Sequence, residues 1–166
     1  MRPWLAALTC IVGCVIGWAR AADLTIEVRG IRTKTGQIHA ALFANAADFQ
    51  ADLEVRGKIT PEGTVSTGVF TRESELPRPP VETASAPANA RTVLLRMANV
   101  APGTYALALY QDVNDDGKLD TRINGKPLEP WGLSNNPKLD NRDATWDEVK
   151  FELPAGGTRL VIELQQ

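Results

Sequence analysis

Beyond Trp18 the sequence has no apolar run long enough to cross a membrane, and beyond Cys14 it has no cysteine. The first absence leaves the mature chain without a transmembrane helix. The second leaves it without a disulfide or a catalytic thiol. There is a single histidine, His39. Catalysis or metal binding there needs partners that the sequence does not place, so it reads as a solvated strand residue. An excess of positive charge is also missing: 18 Lys and Arg face 20 Asp and Glu, for a formal charge of −2. Loss of Arg2 and Arg20 with a leader takes this to −4. A mildly acidic domain offers no electrostatic footprint for nucleic acid. No glycine-rich loop follows a strand and opens a helix, which argues against nucleotide binding.

The apolar run that does occur is N-terminal. Arg2 is followed by an apolar stretch from Trp4 to Trp18 and by Ala19-Arg20-Ala21, a small-x-small cleavage site. This is the pattern of a secretory signal peptide over residues 1–21, and it points to a periplasmic or secreted product. Ile11-Val12-Gly13-Cys14 loosely matches a lipoprotein box. Acylation of Cys14 would start the mature protein on Val15-Ile16-Gly17-Trp18, where polar linkers are usual, so cleavage near Ala21 is the preferred reading. Residues 22–166 then form one domain with a core of its own.

Period-2 alternation dominates that domain. Leu24, Ile26 and Val28 share one face, as do Ile38, Ala40 and Leu42; Val93, Leu95 and Met97; Tyr105, Leu107 and Leu109; Val149, Phe151 and Leu153; and Leu160, Ile162 and Leu164. Thr64 to Thr71 is a further candidate strand. Small alanines on the second face of the Tyr105 strand make it central and covered on both sides. The first two strands read as a hairpin around the loop from Gly30 to Gly36, and the last two as another around Pro154 to Gly157. Asn45 can cap a helix over Ala46 to Leu53. Residues 72–90 carry Pro77, Pro79, Pro80 and Pro87 and read as an exposed connector. About seven short strands with one short helix favour an all-β antiparallel sandwich, immunoglobulin-like or transthyretin-like.

The central strand runs into Asp112-Val113-Asn114-Asp115-Asp116-Gly117-Lys118-Leu119-Asp120. Side-chain oxygens at the first, third, fifth and ninth places, with glycine at the sixth, match a calcium loop. Asp112, Asn114, Asp116 and Asp120 are the candidate ligands, with the Lys118 carbonyl at the seventh place. An EF-hand needs a glutamate at the twelfth place and a preceding helix; here there are Ile123 and a strand. Glu129 is the first candidate for the closing oxygen. Such an incomplete set binds Ca²⁺ with a Kd of about 10⁻⁴ to 10⁻³ M. The alternative is a metal-free turn, in which Asp, Asn and Gly cap their own backbone. After the loop, Lys126 to Gly132 is stiffened by two prolines. Trp131, Ser134, Asn135 and Asn136 form a candidate ligand surface for a protein or glycan partner.

Catalytic readings are weaker. Ser134 lacks the glycines of a nucleophile elbow and reads as a turn serine. The carboxylates of the loop could in principle serve a glycosidase, and Trp131, Trp146 and Tyr110 could form a sugar platform. A carbohydrate-binding module or a hydrolase of envelope glycans is therefore the alternative to a non-enzymatic domain.

The run G-x-Y-A-L-A-x-Y-x-D-x-N-x-D-G-K-L-D, followed by G-K-P-x-E-P-W-G-x-S-N-N and then Thr145-Trp146-Asp147-Glu148, resembles the bacterial exported domain-of-unknown-function family 2141. The resemblance is most specific from Gly103 to Asn136. It implies a small periplasmic or secreted β-domain without an assigned activity. The family's acidic loop and E-P-x-G-x-S-N-N segment fall on Asp112, Asn114, Asp116, Asp120, Glu129, Gly132, Ser134, Asn135 and Asn136.

Overall fold

The computed structural model describes residues 21–57, 79–122, 126–140 and 142–166. Their elements in chain order are β1 (Ala22–Arg29), β2 (Gln37–Phe43), α1 (Ala46–Gly57), β3 (Glu82–Pro87), β4 (Val93–Val100), β5 (Gly103–Asp112), β6 (Trp131–Leu133), α2 (Trp146–Val149), β7 (Phe151–Leu153) and β8 (Thr158–Glu163). A three-stranded sheet runs β4-β1-β8, and a five-stranded sheet runs β3-β2-β5-β6 with β7 also on β5. Every pairing is antiparallel except β1 with β8. The protein is an all-β sandwich.

The alternating rows explain the layers. Leu24, Ile26 and Val28 of β1, Val93, Leu95 and Met97 of β4, and Ile162 of β8 face Ile38 and Leu42 of β2 and Leu107 and Leu109 of β5. This is the core between the sheets. The five-stranded sheet has a second covered face. There Ala41, Phe43, Ala106, Ala108 and Leu133 pack under Phe49 of α1 and Val149 of α2. Strand β5 is consequently buried on both faces from Tyr105 onward, as its alternating leucines and alanines predict.

Several sequence expectations need correction. Strands β1 and β2 do not form a hairpin; they belong to different sheets. Each carries an apolar row that must meet the other's across the core, and Ile31, buried in the connecting loop, holds the crossing down. The last two strands likewise separate, β7 to β5 and β8 to β1. Residues 146–149 are helical rather than extended, which gives two short helices instead of one. Thr145 and Glu148 form a capping box: the Glu148 carboxylate accepts from the Thr145 N–H at 2.9 Å and from its hydroxyl at 2.8 Å. The stretch read as a connector contains β3, whose Glu82–Pro87 ladder lies on β2. Helix α1 runs past Leu53 to Gly57, and Asn45 caps it, its Oδ1 accepting the Asp48 N–H at 3.0 Å. The candidate strand from Thr64 to Thr71 lies outside the described residues.

Candidate functional site

The connection from β5 to β6 carries the acidic loop, and two buried carboxylates organise it. Asp112 ends β5 almost fully buried. Its Oδ1 accepts the Asp116 N–H at 3.1 Å and its Oδ2 the Gly117 N–H at 2.7 Å. Gly117 takes φ +79°, the left-handed turn that its place in the run requires. Glu129, also buried, closes the loop from the other side. One carboxylate oxygen accepts the Val113 N–H at 2.7 Å, the other the Asp120 N–H at 3.0 Å. One side chain thereby clamps both ends of the turn. Glu129 stands nine residues beyond Asp120 in sequence, and the Leu128 N–H just before it donates to the Asp120 carbonyl at 2.8 Å.

The exposed rim of the loop converges on Asn114. Its Nδ2 lies 3.4 Å from Asp116 Oδ2 and 3.1 Å from Asp120 Oδ2. Its Oδ1 accepts the Asp116 N–H at 3.3 Å. Lys118 donates its backbone N–H to Asp116 Oδ1 at 3.0 Å. Asp115 instead points outward to Gln37 Nε2 at 3.1 Å. Two carboxylates and an amide meet here. Among the described residues, no group of three or more His, Cys, Asp or Glu side chains is arranged to hold a metal ion.

The Trp131-to-Asn136 segment sits beside this loop, and its polar side chains bind the backbone of neighbouring segments. Ser134 is fully buried; its hydroxyl donates to the Val149 carbonyl at 2.6 Å and accepts the Leu107 N–H at 3.0 Å. Asn135 Nδ2 donates to the carbonyls of Glu148 and Lys150 at 3.0 and 2.9 Å. Asn136 pairs along β8, donating to the Val161 carbonyl and accepting the Glu163 N–H, at 2.9 and 2.8 Å. Its amide takes the place of a neighbouring strand. Trp131 is half-buried and, with Trp146, packs against the second core cluster; its backbone pairs with Gln165.

A groove on the outer face of the five-stranded sheet was not visible in the sequence. Cross-strand register places Ser85, His39, Tyr110 and Trp131 in one row. The His39 ring lies 5.3 Å from that of Tyr110, and its Nε2 is 3.6 Å from Asp112 Oδ2. His39 is therefore half-covered and in contact with the root of the acidic loop, not a free surface residue. Beside it a cavity of about 420 Å³ is lined by His39, Ala41, Asp52, Pro80, Thr83 and Ser85, among others. The β2–β3 pairing, itself unforeseen, brings His39 and Ala41 beside Thr83 and Ser85, and α1 adds Asp52.

Elsewhere, ion pairs set the carboxylate acidities. Arg142 and the Thr145 cap hold Glu148 down to about 2. Glu27 is lowered by hydrogen bonds from Arg29 and Arg159, and Asp23 by its bond to Arg96.

Comparison with known proteins adds one finding. No curated protein and no solved structure matches the chain. A family model described as "Uncharacterized protein conserved in bacteria (DUF2141)" matches residues 53–161, which span the β5 strand, the acidic loop and the Ser-Asn-Asn segment, and the chain belongs to that family.

Proposed function

We propose that the chain works outside the cytoplasm as a non-catalytic β-sandwich binding module whose Asp112–Asp120 loop takes Ca²⁺. The ion would stiffen the pole from which the Trp131–Asn136 segment runs. The observation that carries this reading is the convergence on Asn114. Oxygens that share a Ca²⁺ at 2.3–2.6 Å lie about 3 Å from one another. Asp116 Oδ2 and Asp120 Oδ2 stand at 3.4 and 3.1 Å from the Asn114 amide. A half-turn of that amide exchanges Nδ2 for Oδ1 and adds a third oxygen to the same centre, with loss of the 3.3 Å bond from the Asp116 N–H. Asp112 and Glu129 keep the turn in shape through the backbone amides they hold, and the lone pairs those bonds leave free are the ones they offer to the ion. The leader pattern in residues 1–21 fits an exported protein, and millimolar calcium is an extracellular condition.

Calorimetric titration of the mature chain with Ca²⁺ tests this. The expected Kd is about 10⁻⁴ to 10⁻³ M, and tenfold saturation should stabilise the fold by about 1.4 kcal/mol over chelator. Asp116→Asn and Asp120→Asn should weaken both effects. If titration gives no heat and chelator leaves the melting temperature unchanged, the metal drops out of the account.

A second reading, a glycan-binding module or glycan hydrolase, is favoured by the cavity beside His39, which combines hydroxyls, an imidazole and a carboxylate. A glycan array and a turnover assay on peptidoglycan decide it, and silence in both retires it.

A further inference from the structure

We infer that the cleft between the β1–β2 and β3–β4 connections is an anion-binding site for a carboxylate- or phosphate-bearing group, with Arg32 and Arg91 as its two arms. The cleft is open to solvent, offers about 350 Å³ and is lined by Gly30, Ile31, Arg32 and Arg91. It is independent of the calcium loop.

The backbone beneath it is fixed. Val28 pairs with Val93 in the β1–β4 ladder, so continuing that antiparallel register brings Arg91 opposite Gly30. Gly30 turns the chain at φ +81°, where a Cβ would lie 3.3 Å from the Leu164 nitrogen. The Leu164 N–H also binds the Arg29 carbonyl at 3.0 Å. Ile31, next in line, is buried in the core. On the other side, Ala88 is buried and its N–H binds the Gly36 carbonyl at 2.9 Å, tying the two connections together. Both arginines thus project from anchored backbone into one cleft, with their side chains exposed.

Among the described residues their charge is unanswered. Among the described residues, Arg29, Arg96, Arg142 and Arg159 are each matched to a carboxylate. Of the nearby acids, Glu27 is bonded to Arg29 and Arg159, and Glu163, whose carboxylate stands beside Gly30, meets Arg29 at 3.9 Å. Arg32 and Arg91 make no ion pair with any described residue. Two guanidinium groups facing one cleft repel, and an anion between them converts the repulsion into charge-assisted hydrogen bonds. The planar fork of each arginine fits the paired oxygens of a carboxylate or phosphate.

The test follows backbone amide shifts in the isotope-labelled mature chain during titration with inorganic phosphate and, separately, acetate. Ionic strength is held constant with sodium chloride. Saturable shifts confined to residues 30–32 and 88–92, weakened at least tenfold by Arg32→Gln and by Arg91→Gln, establish the site. The anion that saturates first names the group. Sedimentation with phosphatidylglycerol vesicles, lost in both variants, would assign that group to a lipid headgroup. Arg122→Gln, at an exposed arginine outside the cleft, should change nothing. Both cleft substitutions are at exposed positions, so their melting temperatures report folding separately. Shifts that appear at every basic residue, fail to saturate, or persist in both cleft variants overturn the proposal.

Discussion

Ser134, Asn135 and Asn136 show how a residue-scale motif can be structural. Asn135 and Asn136 sit at φ 65° and 49°, a region where asparagine pays little because its short side chain bonds locally. Each side chain then binds the backbone of a different segment: Ser134 joins β5 to the end of α2, Asn135 holds the α2–β7 junction, and Asn136 covers the edge of β8. An uncovered edge would invite pairing with another chain. In the sequence these three residues read as a candidate ligand surface, because spacing does not reveal which strand will pass beside a turn. Ser134→Ala leaves the buried Leu107 N–H and Val149 carbonyl without a side-chain partner. It should cost about 1–3 kcal/mol in urea unfolding, with an unchanged denaturant slope. Ser134→Thr retains the hydroxyl but adds a methyl group to a filled site, so it should recover only part of the loss.

At the scale of elements, the inward rows were legible and the pairings were not. Period-2 spacing fixes which face of β1, β2, β4 and β5 is apolar, and all four rows meet in the core. It says nothing about which sheet a strand joins, so the expected β1–β2 and β7–β8 hairpins do not exist. The Thr145-x-x-Glu148 capping box was present in the sequence as a helix signal, but Val149, Phe151 and Leu153 invited a longer strand. Glu129 was legible only as a distant oxygen near the loop; its task of clamping two amides needs the folded return of the chain. Glu129→Gln tests that task directly. An amide nitrogen cannot accept a hydrogen bond, so one of the Val113 and Asp120 amides loses its partner. Its hydrogen exchange should quicken by about tenfold or more, the equivalent of one charge-assisted bond. The Leu107 amide, held by Ser134 within β5, should keep its protection.

For the molecule as a whole, carboxylates tie the central strand β1 to its neighbours and anchor α2, and that sets the response to acid. Glu27, buried on β1, is bonded to Arg29 at 2.7 Å on its own strand and to Arg159 across the parallel pairing with β8. Asp23 reaches Arg96 on β4 at 2.5 Å. Glu148 joins Arg142 to the start of α2. All three carboxyls ionise more readily folded than unfolded, Glu148 at about 2 against an ordinary 4.5. A depressed folded value means that the unfolded chain takes up protons first as pH falls. The stability that Glu148 contributes is therefore complete above 4.5 and is lost progressively between 4.5 and about 2, and Asp23 and Glu27 act in the same direction. The melting temperature should be level through neutral pH and drop across that window. Glu148→Gln preserves the shape of the capping box but not its charge. The variant should melt lower at neutral pH and converge toward the parent at the acid end, where the parent's carboxyl is also neutral. A constant difference across the whole pH range would show that Glu148 acts through shape rather than ionisation.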